Sequence, residues 1–462
     1  GGSSPSRSVE GFSALRLSSL SRGAAFFRTP LPSAATTVKP LAQREILLVW
    51  LPLAATWLLM ASEGPFLAAV IARLPDATYN LAAHGVALAL AMLVESPVIM
   101  LMSAATALVR DEESFTKLRR FGWGLNILAT GFLLLTLIPG PYRWLTGSLM
   151  NLPPEVADLT YGALWFYMPW PAAIGYRRFL QGVLIRAGRT RLVAYGTGIR
   201  LMGMVAGALV GYFLLDIPGA WVGGFALGLG VTVEALAARV MAAGTIREIR
   251  AGAWDEPEGR SVPLRYTDIL SFYYPLALTS LIGLSVQPLL TFFMGNSVRP
   301  IQSLAVFPVV HALGFFFRSM GLAYQDTAIA LMGDRLERLP DVKRFAVSLG
   351  AATSAALGLV AFTPLSDVWF MGISGLTSEL TAFASTPTAL LVPLPALSVL
   401  LSLQRAILVQ NRRTRPITVA SAVEVGAVAV GFVTLGWGIG LVGATAALGA
   451  FLLGRTASNV YL

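Results

Sequence analysis

Cysteine is absent from the 462 residues, which removes disulfide frameworks, thiolate nucleophiles, haem attachment and cysteine-based zinc sites together. Charge is scarce: 13% of residues are Asp, Glu, Lys or Arg, against roughly 25% in an ordinary globular protein. Lysine occurs only at Lys39, Lys117 and Lys343, beside 31 arginines. None of these lysines precedes Ser or Thr, so the G-x-x-x-x-G-K-[ST] loop of an ATP-driven pump is missing and any energy source is an ion gradient or the substrate's own gradient. The two histidines, His84 and His311, form no H-E-x-x-H motif. With neither thiol nor zinc-protease chemistry, no enzyme, metal or cofactor is expected beyond possible H+ or Na+ coupling. A membrane enzyme acting through Glu63 or Glu95 is the rival class.

Apolar length is what the chain has in abundance. Hydrophobic residues make up 55% of it, and runs of about 20, the length a helix needs to cross a bilayer, recur from Ile46 to the C-terminus. Twelve spans are predicted, near 46–72, 81–109, 118–138, 157–185, 192–215, 219–243, 267–294, 301–332, 344–364, 380–410, 416–436 and 438–458. The fold class expected is an all-α polytopic membrane protein, a monomer whose partners are membrane lipid and a small-molecule substrate.

Basic residues give the orientation. The loops after spans 2, 4, 6, 8 and 10 hold 18 of them, from Arg110 and Lys117 to Arg413 and Arg415, while the opposite loops hold Arg73, Arg143 and Arg299. Such residues mark the cytoplasmic side, so both termini are expected inside the cell, in an inner membrane. The same placement accounts for the net charge of +10 without a nucleic-acid partner. Residues 1–40 are a Ser-, Arg- and Pro-rich tail with Glu10 as its only acid, expected to be disordered. The stretch from Phe12 to Arg28 has the makings of a short amphipathic helix on the anionic inner leaflet.

The chain repeats itself. Sliding it along its own sequence until Pro52 falls on Pro275 also brings Pro65 onto Pro288, Ser96 onto Ser319 and Asp111 onto Asp334. A slide one position longer aligns Pro169-Trp170-Pro171-Ala172 with Pro393-Leu394-Pro395-Ala396 and Arg189-Thr190-Arg191 with Arg413-Thr414-Arg415. Six spans separate matching elements, an even number, so the halves are parallel repeats related by an axis along the membrane normal. The expected domains are a six-helix lobe over 41–243, a cytoplasmic linker over 244–265 and a second six-helix lobe over 266–462. Parallel six-helix repeats leave the major facilitator fold and the multidrug/oligosaccharidyl-lipid/polysaccharide (MOP, MATE-like) exporter fold. The loop Arg110–Arg120 lacks the G-x-x-x-D-R-x-G-R signature of facilitators, which favours the second.

Within that superfamily, Ile269-Leu270-Ser271-Phe272-Tyr273-Tyr274-Pro275-Leu276-Ala277-Leu278 resembles the opening of the second half in the progressive ankylosis family. Ser62-Glu63-Gly64-Pro65-Phe66-Leu67 stands where that family places an acid followed by Gln-Ala-Leu, and Leu81-Ala82-Ala83-His84-Gly85-Val86-Ala87 resembles its Leu-Ala-x-Tyr-Gly-Leu-Ala. The sequence departs from the family in its Gly64-Pro65 and in having no long acidic C-terminal tail. The resemblance implies a secondary transporter exporting small organic anions such as citrate, nucleotides or pyrophosphate. The alternatives within the superfamily are efflux of organic cations, as in MATE transporters, and flipping of lipid-linked substrates.

Charges inside the hydrocarbon need a partner, a wet cavity or a function. Glu63 lies beside the Gly64-Pro65 break, where it reads as a proton or Na+ carrier, a substrate contact, or a carboxyl bonded to a neighbouring helix. Glu95 and Arg318, which the Pro52-on-Pro275 register superimposes, occupy equivalent mid-span positions; they meet as a latch between lobes in one access state, or each is satisfied inside its own lobe. Arg200 and Glu424 repeat the pattern in the register one position longer, with snorkelling toward the cytoplasm as the plainer reading. His311 and Gln287 join the candidate site, with Pro65 and Pro288 as helix breaks and His84 and Asp326 as secondary candidates. Arg318, Arg177 and Arg178 suit an anion, Glu63 and Glu95 a cation, and the two signs conflict.

Overall fold

The computed structural model describes residues 40–254, 264–333, 336–411, 413 and 415–462. The tail over 1–39, with its amphipathic stretch, and residues 255–263 of the linker lie outside the described residues, as does Asp334. Residues 41–462 form one unit, and among those described it is almost entirely helical. Large apolar side chains, among them Ile127, Met202, Phe213, Val240, Phe362 and Val430, stand exposed on its outside. That is the surface of a multi-pass membrane protein, whose solvent on those faces is lipid.

The first half holds α1a (Gln43–Ala61), α1b (Glu63–Ala72), α2a (Ala77–Glu95), α2b (Leu101–Leu108), α3 (Glu112–Thr136), α4a (Pro154–Phe166), α4b (Trp170–Arg186), α5 (Thr190–Phe213) and α6 (Gly219–Met241). The second repeats the plan with α7a (Tyr266–Leu284), α7b (Val286–Gly295), α8 (Pro300–Leu331), α9 (Leu339–Phe362), α10a (Ser378–Leu390), α10b (Leu394–Gln410), α11 (Arg415–Phe432) and α12 (Gly443–Tyr461). The linker begins as a short helix, Ala243–Arg250. Among the described residues nine spans are long and apolar enough to cross a membrane, or ten if the bent pair Glu112–Thr136 and Pro139–Leu149 counts as one. The other two of the twelve are α4, split into short halves, and α12, which carries the buried polar residues Arg455 and Asn459.

Proline shapes the first span of each half. Pro65 has no N–H to give and its ring would meet the carbonyl four residues back, at Ala61, where α1a ends. The break therefore falls at Ser62, and by the same logic at Ser285, three residues before Pro288. Each serine hydroxyl donates to the carbonyl three residues back, Ser62 to Leu59 and Ser285 to Ile282, both at 2.8 Å. Span 2 is also broken, by Pro97, whereas the equivalent stretch of α8 around Met320 is continuous helix.

The two halves exchange their first half-helices. α1a packs on α8 and α9 of the second half, burying Ile46, Trp50 and Ala54 among Ala323, Tyr324 and Phe345. α7a in turn reaches across to α2b and α3, where the Tyr273 ring meets Phe121 edge-on at 5.1 Å. Trp50 Nε1 donates to the Met320 carbonyl at 3.1 Å, and Tyr273 Oη donates to the Pro97 carbonyl. The register that superimposes Pro52 and Pro275 also superimposes Trp50 on Tyr273 and Pro97 on Met320, so one crossing is made twice.

Candidate functional site

Two polar clusters lie at membrane depth, one per half. The first is built around the break in span 1. Glu63 opens α1b, so its carboxylate sits at a helix N-terminus, where the aligned peptide dipoles favour negative charge. It accepts a hydrogen bond from Arg200 Nη2 of α5 at 2.5 Å, both side chains about one-eighth exposed at 13% and 12%. Arg200 Nε stands 3.6 Å from Glu234 Oε2 on α6. Glu234 is fully buried and accepts from Arg177 and, at 3.0 Å, from Gln181 Nε2. Arg177 and Gln181 are four residues apart on α4b, one turn, which puts both on one helix face.

The result is a chain of alternating sign from Glu63 through Arg200 and Glu234 to Arg177. Glu95, at the end of α2a where the Ser96-Pro97 break begins, accepts from the Trp170 indole N–H at the start of α4b. Arg178, the neighbour of Arg177, lies 3.7 Å from the Met102 sulfur.

In the second half, His311 Nδ1 and Gln287 Nε2 stand 3.1 Å apart, and the imidazole stacks on Phe307 at 5.5 Å. Arg318 lies over the Phe451 ring at 5.1 Å and the Phe315 ring at 5.4 Å. Arg455 approaches the same Phe451 ring at 5.7 Å and pairs with Glu424 at 2.9 Å. Arg405 lies on α10b, which packs on α12, the helix of Arg455.

Of the residues the sequence singles out, Glu63 and Arg200 come together, and Arg318, His311, Gln287 and Glu424 gather around Phe451 and its neighbours. Glu95 and Arg318 are not paired in this conformation; Glu95 bonds Trp170 and Arg318 covers phenyl rings of its own half. Arg200 and Glu424 are held in buried pairs inside the membrane instead of reaching for the cytoplasm. His84 is buried against Gly223 of α6 and joins neither cluster. Asp326 is exposed on α8. Glu234, Arg405 and Arg455 carry no functional signal in the sequence. Each lies in the half of its span nearest the basic loops, where a charge looks interfacial.

The two halves of the chain also meet at the end of the molecule opposite those loops. Arg73 Nη2, after α1b, donates to the Gly372 carbonyl at 2.8 Å, and Asn296 Nδ2, after α7b, donates to the Leu149 carbonyl at 3.2 Å. The repeat register superimposes the two donors, Arg73 and Asn296, and likewise the two acceptors, Leu149 and Gly372. Neither bond joins two charges, so both can break and re-form with water at small net cost.

No protein-family model matches the sequence, and no curated protein matches it. Solved structures do match in fold. An inward-facing multidrug resistance transporter of the MATE family, in the MOP superfamily, superposes with a TM-score of 0.68 at 14% identity, covering 89% of this chain and 95% of that one. The lipid II flippase MurJ in an inward closed conformation gives 0.66 at 12% identity over 89% and 86% of the two chains. An outward-facing MATE transporter gives 0.56 at 16% identity over 90% and 93%. The twelve-helix fold of these proteins is the fold of this chain.

Proposed function

We propose that the chain is a secondary transporter, an exporter of small organic solutes that works by alternating access between its two lobes. The observation that carries this reading is the repeated, breakable tie at the end opposite the basic loops, Arg73 to Gly372 and Asn296 to Leu149. Two six-helix units tied there by neutral-acceptor hydrogen bonds, beside the packing of α2a on α8 where Gly85 meets Pro308, can part, and the exchanged half-helices supply the hinges about the breaks at Ser62 and Ser285. The basic loops put their own end in the cytoplasm, in an inner membrane, with the protein a monomer. The greater likeness to inward-facing than to outward-facing relatives supports a conformation closed on the far side.

The Glu63–Arg200–Glu234–Arg177 chain is the coupling element in this reading. It sits beside a helix break, and a proton or Na+ arriving at Glu63 would release Arg200 to Glu234 and so move α1b against α5. Glu63→Gln is expected to lower gradient-driven uptake by about tenfold or more while leaving expression and melting temperature near wild type, because the amide still accepts from Arg200. Unchanged uptake with unchanged pH and Na+ dependence would make the pair purely structural.

The substrate class proposed is the organic anion, supported by the resemblance to the progressive ankylosis family. A lipid-linked substrate is the second reading, favoured by the likeness to the lipid II flippase fold. Proteoliposomes decide between them. A panel of labelled organic anions and lipophilic cations, with and without imposed H+ and Na+ gradients, should show gradient-dependent anion uptake. Cation uptake alone would reassign the protein to drug efflux, and movement of a labelled lipid phosphate without either would make it a flippase.

A further inference from the structure

The two clusters differ in charge balance. Around the break of span 1, Glu63, Glu95 and Glu234 lie with Arg177, Arg178 and Arg200, and the signs cancel. In the second half Arg318, Arg405 and Arg455 share one carboxylate, Glu424, which is paired with Arg455. Among the described residues, Arg318 and Arg405 make no hydrogen bond or ion pair, and the buried Nε atoms of all three arginines have no protein acceptor.

The repeat shows that this excess is specific to the second half. In the two registers of the repeat the position of Glu63 is held by Val286, that of Glu234 by Ser458, that of Gln181 by Arg405 and that of Val231 by Arg455. With Glu95 replaced by Arg318 in the same registers, three acids have gone and three bases stand where the first half has none, while Arg177, Arg178 and Arg200 give way to Leu401, Ser402 and Glu424. Unneutralised guanidinium groups at membrane depth are costly, so the arrangement is stable only with water or an anion among them.

Its geometry suits an anion. Phe451 is flanked by Arg318 at 5.1 Å and Arg455 at 5.7 Å, and a guanidinium stacked on a ring is oriented while its N–H edge stays free to grip an oxyanion with two bonds. Arg318 and Arg405 are half-buried, so part of each remains accessible. Phe307, Phe315 and the His311 ring supply an apolar wall.

We propose that Arg318 and Arg455, which flank Phe451, together with Arg405 on α10b, which packs on α12, form a binding site for a small organic dianion whose phosphate or paired carboxylates adjoin an apolar or aromatic body. The proposal rests on the transporter reading for its role, deepening it by placing the substrate in the second lobe and the coupling chain in the first.

The test is a titration of the purified full-length protein in lipid nanodiscs with phenyl phosphate and with phthalate, a phosphate and a dicarboxylate on the same ring. Benzyltrimethylammonium serves as the cation of similar size. At least one dianion is expected to bind and the cation not to compete. Arg318→Gln and Arg405→Gln should each weaken binding by about tenfold or more, the effect of losing a charged hydrogen-bond partner. Glu424→Gln should tighten it, since it removes the carboxylate competing for Arg455. That change of opposite sign separates a site from general damage.

Binding of neither dianion, equal affinity in both arginine variants, or weakening by Glu424→Gln would each overturn the proposal. Uptake of cations by proteoliposomes without dianion binding would leave the transporter reading standing and remove the site. Dianion binding with no uptake of any solute would do the reverse.

Discussion

Glu234→Ala is expected to destabilise the protein by about 3–5 kcal/mol, the usual effect of removing one partner from a buried ion pair. Glu234 is fully buried and is the acceptor for Arg177 and Gln181, with Arg200 Nε 3.6 Å away. Its loss leaves Arg177, itself 4% exposed, without a counter-charge in a place water does not reach, and leaves Arg200 with Glu63 alone. The measurement is the melting temperature in detergent followed by size-exclusion fluorescence. Adding Arg177→Met to Glu234→Ala should recover much of the loss, because replacing both ends of a buried pair by apolar groups is often neutral. A single variant as stable as wild type would show that the chain of charges does not support the fold.

The second large effect is expected at Gly295, the last residue of α7b. A Cβ placed there would stand 2.0 Å from the Met150 carbonyl oxygen, a distance no real contact reaches, and the obstacle is backbone. Met150 belongs to the first lobe and Gly295 to the second, so the clash falls on the lobe contact beside the Asn296–Leu149 bond. Gly295→Ala should therefore keep the two lobes from closing at that end while each folds normally. Uptake is expected to fall by about tenfold or more. Because the chain is free of cysteine, spin labels can be attached at Arg143→Cys and Val298→Cys alone, and the distance between them should lengthen in the variant. An unchanged distance distribution with full uptake would mean that closure does not need this contact.

Much of the architecture was legible in the sequence. Hydropathy reports depth in the bilayer, and proline at matched spacing reports the repeat, so the spans and the register between the halves could both be read. What hydropathy cannot report is which helix lies beside which. Glu63 on α1b and Arg200 on α5 are far apart in the chain, and nothing local to either names the other. Glu234 lies five residues before Arg239 and reads as the edge of a span, although the packing of α6 against α4b buries it. Glu95 and Arg318 show the complementary limit: their equivalence in the repeat was visible, but equivalence under a two-fold axis does not make two residues neighbours. Their partners here, Trp170 and Phe451, are neutral rings that carry no signature of opposite charge.

The exchange of α1a and α7a bears on how such a chain is made. Ribosomes deliver α1a to the membrane before α8 and α9, yet these later helices supply the surface that covers Ile46, Trp50 and Ala54. Until then the opening helix has no native groove, and α2b and α3 wait in turn for Tyr273. Neither half can finish maturing before the other is inserted, so biogenesis is a single cooperative event in which α1a enters the bilayer early and settles late, and two separately synthesised halves would have to find each other before either became native.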